Sequence, residues 1–259
     1  MTDPGVRVDY DGPVATVTLC RPHVLNAQTP AMWGELRAIG HDLPGDIRVV
    51  VVRGEGRAFS AGLDLAAVSA AADADDASGD FSFARMASMT DDEATARIAG
   101  FQAGFGWLRR PDVVSIAAVR GHAIGAGFQL ALACDMRICT ADAQFTMAEV
   151  ALGLVPDLGG TKRLVELIGY ARALDICITG RRVGSTEAEQ IGLATLAPGD
   201  DLDQAVATLT AQILAVRRDA VVEIKALLAN AAGRSFAEQE SAEREAQVRR
   251  IRDIVGQGE

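Results

Sequence analysis

The chain begins with two short hydrophobic segments on either side of a turn signal. Residues 6–10 and 14–19 are rich in valine, and Asp11, Gly12 and Pro13 lie between them. Strand-forming residues around a turn of this composition are typical of a β-hairpin. The sequence therefore predicts an antiparallel pair of strands at the start of the fold.

Apolar positions at helical spacing follow the hairpin. Met32, Leu36 and Ile39 recur every three or four residues, after Thr29 and Pro30. A threonine can cap the first turn of a helix, and proline suits the first helical position. This pattern predicts an amphipathic helix with one face on a core.

Two runs dominated by β-branched and small apolar residues, 47–52 and 113–119, show no alternation of polar and apolar positions. Strands of this kind are buried on both faces of a parallel sheet. Together with the helix that lies between the hairpin and the first of these runs, they predict an α/β core with crossover connections. After Asp157 the pattern becomes mostly helical, with helices predicted over residues 161–168, 171–179, 185–191, 202–216, 220–231 and 236–251.

The pattern divides the chain into an α/β core of residues 1–195 and a C-terminal helical region of residues 196–259. The helical region is expected to pack either on a neighbouring subunit or on the core itself. Residues 66–93 are rich in alanine, aspartate and serine. Such a composition predicts a mobile surface loop.

Composition narrows the classes of function. The 259 residues carry a formal net charge of −10, which argues against nucleic acid and an anionic membrane surface as partners. No apolar run approaches the ~20 residues of a membrane span, and the first residues do not resemble a signal peptide, so a cytoplasmic protein is expected. The four cysteines lack CxxC spacing, so neither a metal site nor a disulfide framework is indicated.

Two glycine-containing turns follow the predicted buried strands. Residues 58–65 come after the first strand, and residues 125–127 come after the second and open a helix. Such turns can direct the backbone N–H groups of Leu63 and Ala126 at one oxygen, an arrangement that stabilises an enolate in a dry site. The alternatives are a plain strand-to-helix turn capped by Asp64, and close helix–sheet packing through small residues.

Two carboxylates flank a mainly apolar segment, residues 150–156. Glu149 precedes this segment and Asp157 follows it. Apolar surroundings disfavour the charged form of a carboxyl group, so the pKa of each is expected to rise toward the range of a useful acid or base. In the alternative, Glu149 is solvated and Asp157 caps the helix that follows Gly159. The histidines are scattered and no serine lies in a nucleophile elbow, so a Ser-His-Asp hydrolase is not indicated.

Five motifs, taken in order, closely resemble the enoyl-CoA hydratase/isomerase, or crotonase, superfamily. They are LCRPHVLNA at residues 19–27, RAFSAGLDL at 57–65, AAVRGHAIGAG at 117–127, ACD at 133–135 and PDLGGTKR at 156–163. The resemblance implies a spiral of ββα units with a C-terminal helical trimerisation region, and therefore homotrimers or dimers of trimers. It also implies an acyl-CoA thioester as substrate, no cofactor beyond the CoA that the substrate carries, and a role in fatty acid and lipid metabolism.

By this resemblance, the N–H groups of Leu63 and Ala126 form the oxyanion hole for the thioester carbonyl, and the acyl chain runs toward Glu149. The substrate and its CoA moiety are expected to contact eight further residues: Arg21, Val24, Arg57, Ala61, Gly62, Asp64, Leu65 and Gly125.

The chain departs from the hydratase pattern at two positions. Hydratases of the superfamily have glutamate at the positions of both Gln129 and Glu149, and glycine at the position of Asp157. An amide can orient a substrate but cannot exchange protons in the same role, whereas dienoyl-CoA isomerases are similar to this chain in having the aspartate. The resemblance thus favours an isomerase with Glu149 and Asp157 as acid/base residues and Gln129 as a polar positioning group. The alternatives are a hydratase of altered efficiency, a hydrolase, and a non-catalytic acyl-CoA binding protein.

Overall fold

A computed structural model describes residues 4–66 and 82–256 of the protein. Its strands are β1 (Val6–Asp11), β2 (Val14–Leu19), β3 (Val49–Gly54), β4 (Val114–Val119), β5 (His122–Ile124), β6 (Met136–Cys139), β7 (Gln144–Thr146), β8 (Arg182–Gly184) and β9 (Thr195–Leu196). The main sheet has the order β1-β2-β3-β4-β6-β9, and a small sheet has the order β5-β7-β8. In the main sheet only β1 and β2 are antiparallel, which confirms the predicted hairpin and the α/β core.

The helices are α1 (Pro30–His41), α2 (Phe83–Ala87), α3 (Asp91–Gly106), α4 (Ala126–Ala133), α5 (Gly160–Ile168), α6 (Tyr170–Thr179), α7 (Ser185–Gln190), α8 (Leu202–Ala215), α9 (Arg218–Ala231) and α10 (Phe236–Ile254). Thr29 caps α1 as predicted, since its hydroxyl accepts from Met32 N at 3.3 Å. The predicted C-terminal helices agree with the observed ones to within three residues at each end.

The prediction of a loop over residues 66–93 is wrong for its last part. Residues 67–81 lie outside the described residues, but α2 and the start of α3 occupy positions that were expected to be irregular. Thr90 and Glu93 form a capping box, and Asp91 and Asp92 lie in the first turn of α3. Because acidic residues stabilise the positive end of a helix, a composition typical of a loop here marks a helix start.

Strand β3 is buried on both faces, as its sequence predicts. Val50 and Val52 belong to the main hydrophobic core, whereas Val49 and Val51 belong to a second cluster on the other face. The strand begins two residues later than expected, because the Ile47 N–H instead closes a turn by donating to Pro44 O at 3.1 Å.

Helices α8 and α9 pack on the chain's own core, which is one of the two arrangements expected for the C-terminal region; packing on a neighbouring subunit stays a prediction. Apolar residues of α8 cover the second cluster, and Arg48 donates to Leu214 O at 3.0 Å at the end of that helix. From α9, Lys225 Nζ lies 2.7 Å from Asp135 Oδ2 and 2.6 Å from Val113 O. The predicted division after residue 195 falls within β9 and stays a prediction.

None of the helices in the described parts of the chain combines the length and apolar character that a membrane span requires.

Candidate active site

The turn after β3 lies against the small sheet. The Ser60 N–H donates to His122 O at 2.8 Å, and the Ser60 carbonyl accepts from Ile124 N at 3.0 Å. Ser60 therefore pairs in parallel with the middle of β5. This pairing joins the segment that carries Leu63 to the strand that leads into Ala126.

The Leu63 N–H points away from the backbone of Gln28, which lies beside it. Leu63 forms a parallel bridge with Gln28, in which Gln28 donates to Gly62 O at 2.6 Å and accepts from Asp64 N at 2.8 Å. The N–H of Leu63 itself faces the opposite side, where no described residue accepts a hydrogen bond from it. A ligand oxygen can therefore take this donor.

Ala126 supplies a second donor beside the first. It is the first residue of α4, where an N–H has no partner within its own helix, and no described residue accepts from it. Gly125 precedes it with a φ of 50°. A Cβ on Gly62 would lie 2.5 Å from Ile124 O and 3.6 Å from Ala126 N, so only glycine allows the Leu63 turn to approach this closely.

Glu149 lies over this turn, in the short 3-10 helix Glu149–Leu152 that follows β7. Its Oε1 accepts a hydrogen bond from Gln129 Nε2 at 2.7 Å. The same oxygen would lie 3.3 Å from a Cβ added to Gly125. Its Oε2 is buried without a hydrogen-bond partner among the described residues. Burial, and next the charge of Asp157, raise the pKa of Glu149 against the opposing hydrogen bonds from its own backbone and from Gln129. The alternative of a solvated glutamate is therefore wrong.

Asp157 is the second carboxylate of the site. Burial raises its pKa, and a hydrogen bond from its own backbone opposes the rise. Its charge acts on Glu149, and its carbonyl accepts from Gln102 Nε2 at 2.6 Å. Asp157 does not cap α5, because that helix begins after Gly159 and has no side-chain cap. The capping alternative is therefore wrong, and the side chain is left for another role.

Gln129 connects the two carboxylate-bearing segments. Its side chain is 1% exposed, and its Oε1 accepts from Leu158 N at 2.8 Å and from Gly160 N at 3.3 Å. Only the amide nitrogen then remains for Glu149, to which it donates. Because the acceptors and donors determine which way the amide faces, Gln129 holds Glu149 and the segment after Asp157 in one arrangement.

Arg21 and Asp64, both expected to contact substrate, contact each other. Arg21 Nη1 lies 2.8 Å from Asp64 Oδ2 and 2.7 Å from Ala27 O. This pair ties the segment after β2 to the Leu63 turn, and the Ala61 N–H donates to Leu25 O at 2.8 Å in the same region. The structure thus brings the two predicted CoA-contacting segments side by side.

The remaining residues expected to contact substrate differ in exposure. Arg57 and Leu65 are exposed, Val24 and Ala61 are partly buried, and Gly62 and Gly125 are buried. Their contacts with CoA stay a prediction.

Sequence reasoning missed three polar residues that shape the site. Gln28 and Ser60 are fully buried and bond to each other at 3.0 Å, and Gln102 holds the Asp157 carbonyl. Neither glutamine lies in a motif with a known chemistry. The one available signal was polarity among apolar neighbours, and that does not separate a buried amide from an exposed one.

A groove of about 650 Å³ lies elsewhere, between β6, β9 and α8. None of the candidate site residues lines it. Within the described residues, no group of three or more His, Cys, Asp or Glu side chains is placed to hold a metal ion.

The chain belongs to the enoyl-CoA hydratase/isomerase family, whose model matches residues 9–253. A probable enoyl-CoA hydratase of Mycobacterium tuberculosis is 36% identical over 214 residues, which are 81% of this chain and 76% of that protein. A peroxisomal Delta(3,5)-Delta(2,4)-dienoyl-CoA isomerase of Arabidopsis thaliana is 31% identical over 227 residues, 86% of this chain and 80% of the relative.

Solved structures agree with this assignment. A provisionally named enoyl-CoA hydratase from Thermobifida fusca YX, in complex with CoA, matches with a TM-score of 0.90 and 47% identity, covering 98% of this chain and 95% of that one. The same protein in complex with acetoacetyl-CoA matches with a TM-score of 0.89 and 48% identity over 96% of each chain. The crotonase fold expected from the sequence motifs is thereby confirmed.

Proposed function

We propose that this protein is an acyl-CoA isomerase that moves a carbon–carbon double bond by proton transfer. One observation carries the proposal. The oxygen of the Gln129 amide accepts from Leu158 and Gly160, and its nitrogen donates to Glu149, whereas Asp157 provides a second carboxylate with a raised pKa. A site with one amide and two such carboxylates is suited to moving protons within a substrate rather than to holding water between two glutamates.

In the proposed mechanism, the thioester carbonyl accepts hydrogen bonds from the N–H groups of Leu63 and Ala126. Oε2 of Glu149 removes a proton from the acyl chain, and the electron pair of that C–H bond moves into the conjugated system to form a dienolate. The two N–H groups stabilise the negative oxygen. The protonated Glu149 then returns its proton two or four carbons along, and an electron pair of the dienolate forms the new C–H bond while the double bond takes its new position. In the variant with Asp157 as the acid, Asp157 starts protonated and gives its proton, and solvent afterwards removes the proton from Glu149 and restores the one on Asp157.

These steps consume no atom, so the proposed reaction requires no cofactor beyond the CoA of the substrate. The complexes of the Thermobifida protein with CoA and acetoacetyl-CoA support a CoA thioester as ligand. The Arabidopsis relative, named as a dienoyl-CoA isomerase, supports the reaction type.

Hydration is the second candidate, because several relatives are named as hydratases. In that reaction the free Oε2 of Glu149 would hold the water that is added. A hydrolase using the same oxyanion hole and a non-catalytic acyl-CoA binding protein are the remaining alternatives.

The test is to incubate the protein in D₂O with 2-enoyl-, 3-enoyl- and 3,5-dienoyl-CoA, and to follow double-bond position and deuterium content by mass spectrometry. Isomerisation gives a shifted double bond with deuterium in the acyl chain. We expect Glu149→Gln and Asp157→Asn each to lower this rate by about 10²- to 10⁴-fold, as loss of a general acid or base does. Glu240→Gln, at an exposed position of α10, serves as the matched control and should leave the rate unchanged.

The other outcomes identify the alternatives. A 3-hydroxyacyl-CoA product would indicate hydration, and free CoA would indicate hydrolysis. Tight binding of all three thioesters without exchange of protons would indicate a binding protein and overturn every enzymatic assignment of the site.

We also propose that the protein forms homotrimers or dimers of trimers. Exposed apolar side chains along α9 and α10 support association: Ile224, Leu228, Val248 and Ile251. Light scattering on the purified protein measures the state, and a monomer at micromolar concentration would contradict it.

A further inference from the structure

A chain of buried hydrogen bonds runs from α1 to the turn that carries Leu63. Trp33 Nε1 donates to Gln28 Oε1 at 2.8 Å, and Gln28 Nε2 donates to Ser60 Oγ at 3.0 Å. Ser60 Oγ also accepts from Gly62 N at 3.2 Å and donates to Asn26 O at 2.8 Å. The Gly62 N–H, which donates to Ser60 Oγ, is thus one peptide away from the Leu63 N–H.

The direction of every bond in the chain is determined. An indole N–H can only donate, so the oxygen of the Gln28 amide faces Trp33 and its nitrogen faces Ser60. The Ser60 hydroxyl receives that bond and the bond from Gly62, and its single proton goes to Asn26. No rotation of one group is possible without breaking a neighbour's bond, which makes the chain a rigid support.

Burial shows that the chain is not a surface feature. Gln28 and Ser60 are 0% exposed, and Trp33 is 4% exposed. Apolar side chains would fill this space without requiring partners. The polar side chains of Gln28 and Ser60 therefore serve a purpose other than filling the core.

Gln28 and Ser60 hold both donors of the proposed oxyanion hole. The backbone of Gln28 binds the peptides on either side of Leu63, and the backbone of Ser60 binds β5, which leads into Ala126. Ser60 also packs against the first turn of α4, since a Cβ on Gly127 would lie 2.7 Å from Ser60 Cβ. The Gln28 and Ser60 side chains therefore fix the positions of their own backbones, and these backbones contact the segments that carry the Leu63 and Ala126 N–H groups.

We propose that Gln28 and Ser60 are positioning residues that aim the Leu63 N–H at the substrate carbonyl. The inference rests on the oxyanion hole of the proposed function. It does not depend on whether the enolate is then isomerised or hydrated. A donor that is displaced or free to rotate polarises the carbonyl less, and it loses its effect mainly in the transition state.

The direct readout is the carbonyl stretching frequency of bound butanoyl-CoA labelled with ¹³C at the thioester carbon, measured by infrared difference spectroscopy. We expect binding to the wild-type protein to lower this frequency. Ser60→Ala and Gln28→Met should reduce the shift, lower kcat for α-proton exchange about 10- to 100-fold, and change the Kd of butanoyl-CoA by only a few fold. Ser60→Cys retains a weak donor and acceptor, so its shift should lie between those of wild type and Ser60→Ala.

The matched control is Ser185→Ala. Ser185 is also a buried serine that donates one hydrogen bond to a backbone carbonyl, Ala141 O at 2.7 Å, and its side chain has no hydrogen bond to the Leu63 turn or to the first turn of α4 among the described residues. This variant and Ser60→Ala are both expected to lose stability, but the carbonyl shift and kcat of Ser185→Ala should stay at wild-type values.

The outcomes separate this inference from the proposed function. If Ser60→Ala and Gln28→Met keep the full carbonyl shift and kcat, or if Ser185→Ala reduces them equally, the positioning role is overturned. If the carbonyl of butanoyl-CoA does not shift on binding to the wild-type protein, the oxyanion hole is wrong and both proposals fail. If the wild type shows the shift with butanoyl-CoA but converts 2-enoyl-CoA to a 3-hydroxyacyl-CoA, only the isomerase assignment fails.

Discussion

The carboxamide of Gln129 donates a 2.7 Å hydrogen bond to Oε1 of Glu149, and Oε2 of the same carboxylate has no partner among the described residues. One oxygen is therefore held and the other is free for a proton. The same bond lowers the pKa of Glu149 while burial raises it. Gln129 thus influences both the orientation and the basicity of the Glu149 carboxylate, the proposed base.

Replacing Gln129 is expected to change the pH at which the site becomes active. In Gln129→Glu, a carboxylate oxygen faces Glu149 in place of the amide nitrogen, and two like charges at this distance cannot both ionise readily. The pKa of the pair rises, so the acidic limb of kcat/KM for proton exchange moves to higher pH. Gln129→Met removes the hydrogen bond without adding charge and should move the limb less in the same direction. An unmoved limb in Gln129→Glu would contradict the contact.

Removing the charge of Glu149 is expected to stabilise the fold at alkaline pH. Its pKa is higher in the folded protein than in the unfolded chain, so the folded state is at its most stable below the unfolded pKa and loses stability as the pH rises through the folded pKa. Glu149→Gln lacks this loss. Its melting temperature should exceed that of wild type at pH 8, and the difference should shrink toward pH 4. Glu240→Gln, at an exposed position of α10, is the matched control.

The Ala126 N–H can be deleted with little damage to its helix. Ala126 is the first residue of α4, where proline is well tolerated. Ala126→Pro should therefore keep the far-UV circular dichroism spectrum of wild type but lose about 10²- to 10³-fold in kcat, as removal of one oxyanion donor does. Ala126→Gly keeps the N–H and should retain most activity. Equal losses in the two variants would show that the donor is not used.

Gly62 is required by both its conformation and its contact. It has a φ of 88°, and an added Cβ would lie 2.5 Å from Ile124 O. Gly12, in the hairpin turn, has a φ of 51° with open space around it. Gly12→Ala should lose about 1–2 kcal/mol in the free energy of unfolding from backbone strain alone, with activity unchanged. Gly62→Ala should lose more stability and most of the proton exchange.

The Lys225–Asp135 pair is expected to fasten the C-terminal helices to the core. The two side chains are 12% and 20% exposed, so Lys225→Met should lower the free energy of unfolding in urea by about 1.5–3 kcal/mol. Lys162 is 83% exposed in its pair with Glu166, and Lys162→Met should change it by no more than about 0.5 kcal/mol. Similar small effects of the two substitutions would show that α9 is held by other contacts.

The sequence predicts those parts of the site that depend on local pattern. The pattern of a strand followed by a glycine-containing turn is visible in the sequence before both Leu63 and Ala126. Glu149 and Asp157 are recognisable because they flank an apolar segment. Whether Asp157 capped a helix was open, because the answer depends on the path of the chain after it. That path is determined in part by Gln129, which lies 29 residues before Leu158.

The supporting contacts are not visible in local pattern. Gln28 and Ser60 are 32 residues apart, and Arg21 and Asp64 are 43 residues apart. Only folding brings these pairs together. The sequence therefore indicates the candidate reactive groups, while the residues that hold them become apparent in three dimensions.

The pairing of Ser60 with β5 makes the distance between the two N–H donors a property of how the two sheets are stacked. Leu63 follows a strand of one sheet and Ala126 follows a strand of the other. Substitutions deep in the core, far from any substrate atom, can therefore tune the catalytic rate by shifting one sheet against the other by fractions of an ångström. At the contact between the two sheets, where Ser60 pairs with β5, the same packing therefore affects both the stability of the fold and the rate of the reaction.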